Sequence, residues 1–311
     1  MIDAVRTFIG GSWLLAAREQ ARAAPITTVG LALAVAAVVV LLLQSLQRIL
    51  SGEVEAVVRY AMLGGLAGFV TTAAGALPAL VLRSIPQKLE DSMLGMAAGM
   101  MLAASAFSLI LPGLEAGEQL MGSGGGAAAV VVLGMALGVA LMLGLDQFIP
   151  HEHPETGPCG AGHERCSRVW LFVLAIALHN LPEGMAIGVS FAQGDLKVGL
   201  PLTTAIALQD IPEGLAVALA LRTAGLSNGR AVLIAAATGL LEPLGALLGV
   251  GLSSGMAIAY PVGLGLAAGA MLFVVSHEVI PETHRNGHQT AATIGLMIGF
   301  AVMMTLDTTL F

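Results

Sequence analysis

Charge is scarce in this chain. Only 11% of its 311 residues are Asp, Glu, Lys or Arg, and aromatic residues make up only 4%. A soluble domain carries roughly a quarter of its residues as charge, so this composition argues against an ordinary water-soluble fold. Basic residues are the scarcer sign: 13 Lys and Arg against 20 Asp and Glu give a net charge of −7. Without a basic stripe the chain has no footprint for nucleic acid. Its two cysteines, Cys159 and Cys166, share one loop and cannot build a disulfide framework. No Gly-x-x-x-x-Gly-Lys-Ser/Thr loop is present to hold a nucleotide. His-Glu-x-x-His is missing too, and no Ser or Cys stands with a base in a nucleophile pattern, so enzyme chemistry has little to rest on.

What the chain has instead is apolar length: 57% of it is hydrophobic, with 40 glycines. A spanning helix needs about 20 apolar residues. Nine runs meet that length, at 27–47, 61–82, 93–114, 126–149, 168–190, 199–221, 230–252, 257–280 and 290–310. The expected fold is an all-α integral membrane protein. Residues 1–26 form a weakly amphipathic lead-in, and 27–311 form one polytopic domain whose 27–47 run is a retained helix, too long for a signal-peptide core. With the N-terminus cytoplasmic, ten of the 13 basic residues fall in cytoplasmic segments and Arg48, Arg59 and Lys197 fall outside. The positive-inside rule then puts the C-terminus outside. The pairs Gly64/Gly68, Gly95/Gly99 and Gly134/Gly138 have the small-xxx-small spacing of closely packed helices.

One hexapeptide is written twice, as His179-Asn180-Leu181-Pro182-Glu183-Gly184 and Gln209-Asp210-Ile211-Pro212-Glu213-Gly214. At helical spacing each copy directs three polar heads to one face. Pro182 and Pro212 each remove a backbone donor and crowd the carbonyl four residues back, which at membrane depth needs another partner. Glu183, Asp210, Glu213 and Glu242 lie well inside predicted spans with no Lys or Arg at matching depth. Each ionised carboxylate there costs on the order of a few kcal/mol. Two divalent cations would balance all four; the alternative is protonated carboxylates in a proton relay. His179, Asn180 and Gln209 add neutral donors, and imidazole with carboxylates suits Zn²⁺ or a neighbouring first-row ion. Glu242-Pro243 gives the seventh run a kinked acidic site of its own.

The paired His-Asn-x-Pro-Glu-Gly and Gln-Asp-x-Pro-Glu-Gly helices resemble the ZIP (Zrt-/Irt-like) divalent-metal transporters, in particular bacterial members. The resemblance covers about residues 60–311 and implies eight helices, preceded here by one extra. It implies a two-metal site at mid-membrane. The first ion would be held by Met101, His179, Glu183, Gln209, Asp210 and Glu213, the second by Asn180, Glu183, Asp210, Glu213 and Glu242. From its residues alone Met101 reads as packing in a Met-rich helix; its place in the family makes it a ligand, and a thioether favours soft ions such as Cd²⁺ beside Zn²⁺. Gln209 departs from the Glu found in many relatives and removes one negative charge. The implied activity is import of Zn²⁺ and Cd²⁺ into the cytoplasm across a bacterial inner membrane. It would proceed by elevator-type alternating access in a homodimer, with no catalytic cofactor and no nucleotide. The loop at 150–167, with His151, His153, His163 and both cysteines, is a candidate metal-collecting segment or a solvated linker. His277 and Glu278 with Asp146 form a candidate exit relay, and Asp91 is a weaker candidate on the same face. His284 and His288 read as ordinary loop residues.

Overall fold

The computed structural model describes residues 11–122, 124–153, 157–161, 168–194 and 196–309. Helix α1 spans Gly11–Ala23, α2 Pro25–Leu50, α3 Glu55–Ala76 and α4 Gln87–Met121. Helix α5 spans Gly124–Phe148 and leads to a small antiparallel hairpin, β1 (His151–His153) with β2 (Gly157–Cys159). Helices α6 (Arg168–Ser190), α7 (Leu196–Thr223), α8 (Asn228–Ser253), α9 (Ala259–His284) and α10 (Gln289–Thr309) complete the chain. Among the described residues nine helices, α2 to α10, are long and apolar enough to cross a membrane, one for each apolar run. The 1–26 lead-in is helical from Gly11 to Ala23.

Two helices widen into π-turns, at Ala104–Ile110 in α4 and Val275–Val279 in α9. In both, a proline follows two residues later, Pro112 and Pro281. A proline cannot pair with the carbonyl four residues back and its ring crowds it. A wider turn relieves that clash without breaking the helix. α8 resolves the same problem differently. Its α-helical segments end at Thr238 and resume at Leu241, so Pro243 stands in the first turn of a new segment and Glu242 beside it.

Glycine sets which helices meet. Added Cβ atoms at Gly95 and Gly99 of α4 would strike the backbone of α10 at Ala292 and Leu296, and those at Gly295 and Gly299 would strike α4 at Ser92 and Met96. Gly134 and Gly138 of α5 meet α9 in the same reciprocal way, and Gly184 and Gly188 of α6 meet α8. Small residues let helix backbones approach closely where lipid supplies no hydrophobic drive. α3 packs chiefly on α7 and α8, and α8 on α6, while α4 pairs with α10 and α5 with α9. The bundle is thus two sets of four helices, α3/α6/α7/α8 and α4/α5/α9/α10, with α2 against α5 and α8.

Candidate metal centre

Both hexapeptides lie within continuous helix, with Pro182 and Pro212 inside α6 and α7. Glu183, Asp210 and Glu213 each offer one oxygen to a cluster in which the three oxygens lie within 4.8 Å of one another. Glu242 comes to it from the break in α8. A Cβ at Gly184 would overlap Glu242's backbone, so the last residue of the first hexapeptide is what lets α8 bring this carboxylate in. Asn180, Glu183, Gln209, Asp210 and Glu242 are all buried. Among the described residues no Lys or Arg forms an ion pair with any of the four carboxylates.

The hydrogen bonds inside the cluster are few. Gln209 Nε2 donates to Glu183 Oε1 at 2.5 Å, Thr71 to Asp210 Oδ2 at 3.3 Å and Thr72 to Glu242 Oε1 at 3.0 Å. Five buried oxygens remain without a hydrogen-bond partner: Asn180 Oδ1, Glu183 Oε2, Gln209 Oε1, Glu213 Oε1 and Glu242 Oε2. Buried polar atoms are rarely left this way, and a cluster of them needs an explanation. Carboxylate and amide oxygens left without a hydrogen-bond donor are ligands a hard or borderline cation can use.

His179 and Met101 border the cluster at the inner end of a cavity of about 460 Å³, which they line together with Glu213 and Glu278. This cavity runs to the surface at Arg83 and Arg285, with Glu90 and Glu282 on its walls. His179 Nε2 lies 2.8 Å from Glu278 Oε2, so the first hexapeptide's imidazole is shared with the π-turn of α9.

The outlying candidates separate into three places. Glu278 belongs to the cavity. Asp146, at the end of α5, holds His151 Nε2 at 3.0 Å, with His277 Nε2 at 3.9 Å from the same carboxylate oxygen. Cys159 Sγ is 3.4 Å from His151 Nε2, so the hairpin folds its first histidine against the helix it follows. Burial opposes protonation of the His151 ring, but its bonds to Asp146, Cys159 and the Ile149 carbonyl outweigh it and push the pKa up to about 10. His153 continues β1, while its side chain, with His163 and Cys166, lies outside the described residues. Asp91 is buried away from the cavity, held by His288 Nδ1 at 2.7 Å, Asn286 at 3.0 Å and Gln87 at 3.2 Å. His288 is therefore a tether between α4 and the loop before α10. Sequence reasoning missed Glu90 and Glu282, which read as loop or end charges, and missed Thr71 and Thr72, which sit unremarked in an apolar run.

Fold and donor set together define a class, a polytopic helical membrane protein with a cluster of metal-type ligands buried inside its span. Residues 151–307 match the family described as ZIP Zinc transporter. The chain is 66% identical over 300 residues to Zinc transporter ZIPB of Bordetella bronchiseptica, covering 96% of each. It is 42% identical over 245 residues to Zinc transporter GufA of Myxococcus xanthus, covering 79% of this chain and 96% of that one. Against Zinc transporter ZIP11 of Homo sapiens identity is 32% over 331 residues, covering 79% and 96%. The chain belongs to the ZIP family, and its bacterial relatives are the more similar of these.

Proposed function

We propose that this protein carries Zn²⁺, and Cd²⁺ with it, into the cytoplasm through a site that holds two ions at mid-membrane. The observation that carries the reading is the set of five buried oxygens without hydrogen-bond partners, set among four carboxylates that no Lys or Arg pairs among the described residues. Two divalent ions neutralise those four charges. Met101, His179, Glu183, Gln209, Asp210 and Glu213 hold the first ion; Asn180, Glu183, Asp210, Glu213 and Glu242 hold the second. The relatives' names as zinc transporters support the substrate, and the Met101 thioether supports the softer Cd²⁺ beside it.

Every proposed ligand except Met101 rides on α6, α7 or α8, which pack with α3. That division suits an elevator in which α3, α6, α7 and α8 move against α4, α5, α9 and α10, the latter set also forming the homodimer surface. The cavity reaching Arg83 and Arg285 lies on the face that the basic-residue count makes cytoplasmic, in the inner membrane, with the N-terminus inside and the C-terminus outside. It is the release path. His179 passes from the ion to Glu278 as the ion leaves, and Glu282 and Glu90 offer the next carboxylates. Asp146, His151 and His277, with His153 nearby in sequence, form a secondary metal contact at the hairpin. Asp91 serves structure through His288.

Proteoliposomes with a higher external Zn²⁺ or Cd²⁺ concentration should accumulate the ion without ATP. Accumulation only with added ATP, or for no divalent ion, refutes the proposal.

A further inference from the structure

Helix α3 carries no carboxylate of the cluster, yet it touches two of them. Thr72 is buried, and its hydroxyl is 3.0 Å from Glu242 Oε1 and 3.1 Å from the Gly68 carbonyl of its own helix. A hydroxyl has one proton to donate, so the bond to Glu242 competes with the usual bond back along the helix. Thr71, by contrast, has carbonyls of its own helix at 2.9 and 3.0 Å and Asp210 only at 3.3 Å. Thr72 is the closer of the two to a site oxygen.

Two further contacts fix Thr72 where it is, and a third places the carboxylate it holds. Its backbone carbonyl lies where a Cβ at Gly214, the last residue of the second hexapeptide, would be. Its side chain packs on Gly239, in the break of α8, within 3.2 Å of where that glycine's Cβ would stand. One turn earlier, a Cβ at Gly68 would overlap the Glu242 carboxylate and come within 3.1 Å of Asp210 Oδ2. Glu242 Oε2 therefore occupies the space that Gly68 leaves, and it has no hydrogen-bond partner while Oε1 has Thr72.

We propose that Thr72 is a positioning residue for the second ion: its hydroxyl holds Glu242 by Oε1, over the gap at Gly68, so that Oε2 is the oxygen presented to the metal. The proposal rests on the two-ion reading above and adds what decides occupancy of the second position. A glutamate has three rotatable bonds, and freezing them is among the larger side-chain entropy costs. Thr72 and Gly68 have already frozen them before the ion arrives. Hydrogen bonds that orient a ligating carboxylate typically change metal affinity by about 10- to 100-fold when removed.

The test uses full-length protein in detergent, Cd²⁺ as the probe, and bound metal measured by equilibrium dialysis with elemental analysis. Thr72→Val keeps the shape of the side chain and removes the hydroxyl; Thr72→Ser keeps the hydroxyl. Thr72→Val should weaken the second Cd²⁺ by about 10- to 100-fold while the first changes by less than about threefold, and Thr72→Ser should bind both within about threefold of wild type. In zinc uptake the Val variant should raise KM more than it lowers kcat. Gly68→Ala, which displaces the same carboxylate from the other side, should also lose the second ion. Equal second-ion affinity in Thr72→Val and wild type, or a Ser variant as impaired as the Val variant, overturns the role of the hydroxyl. Wild-type protein that saturates at one ion overturns the two-ion reading itself, and with it this proposal.

Discussion

In the proposed two-ion site, Glu242→Gln should separate the two ions by charge alone. The side chain is fully buried, and the amide keeps its length and can still accept from Thr72 through Oε1. What it loses is one of four negative charges. With both ions present the site then carries a net charge of about +1 instead of zero, in surroundings of low dielectric. A unit charge about 5 Å from a cation, at an effective dielectric near 20, contributes about 3 kcal/mol per unit of cation charge. Reorientation of the amide offsets part of the doubled attraction on a divalent ion. We take about 3 kcal/mol as the loss, which is on the order of 100-fold in affinity for the second ion. The first ion keeps His179, Met101 and Gln209 and should weaken by less than about tenfold, on the same screened Coulomb scale. Equilibrium dialysis should find about two bound ions in wild type and about one in this variant, with part of the uptake retained. His179→Ala should do the reverse, and Asp210→Ala or Glu213→Ala should damage both. A Glu242→Gln protein that binds no metal, beside a His179→Ala protein that still binds two, would refute this division of ligands.

Metal binding requires neutral imidazole and ionised carboxylates, so it should release protons and weaken as pH falls below neutral. Calorimetry in buffers of different ionisation enthalpy measures the release, and an affinity flat from neutral to acid removes His179 and the carboxylates from the site. Gly184→Ala should abolish second-ion binding because its Cβ displaces the Glu242 backbone, while Gly138→Ala, far from the ligands in α5, should lower Tm by overpacking of about 1–3 kcal/mol and leave affinity unchanged. Equal metal binding in these two variants refutes the link between that crossing and the site. At the hairpin, His151 rises from 6.5 to about 10 on folding, so its tie to Asp146 contributes fully below about pH 6.5 and is lost as pH climbs through 10. Hydrogen exchange of residues 157–161, corrected for the intrinsic rate, should speed up over that range in the native chain but not in Asp146→Asn; identical profiles refute it.

The spans were legible because each is written in a single currency, apolar length, and all nine runs have their helix. Their ends were less so. α4 runs from Gln87 to Met121, well beyond the apolar run at 93–114, because Glu90, Asp91, Glu115 and Glu118 are helical without being apolar. Hydropathy marks where a helix is greasy, not where it stops. The doubled hexapeptide was legible because three polar heads at helical spacing in an apolar run have few uses. The contacts of Thr72, the tether from His288 to Asp91 and the walls of the cavity were not legible. The first two join residues 170 and 197 positions apart, and the cavity draws its walls from four separate stretches between Arg83 and Arg285; no local pattern carries such a pairing.

The stripe at Gly64 and Gly68 shows where pattern reading stops. By spacing it is the same motif as Gly95/Gly99 and Gly134/Gly138, and those two pairs do meet the backbone of a facing helix. Gly64 instead faces the side chains of Ile187 and Phe191, and Gly68 faces a carboxylate. Small residues admit whatever lies opposite, and only the opposite helix decides whether that is a backbone or a ligand. The same holds for the glycine that closes each hexapeptide. Gly184 admits the backbone of Glu242 and Gly214 admits that of Thr72, so one glycine brings in the fourth carboxylate and the other brings in the hydroxyl that holds it. Proline, glutamate and glycine are thus three parts of one device: a backbone donor removed from a continuous helix, a charge beside it, and a gap through which the rest of the site is assembled.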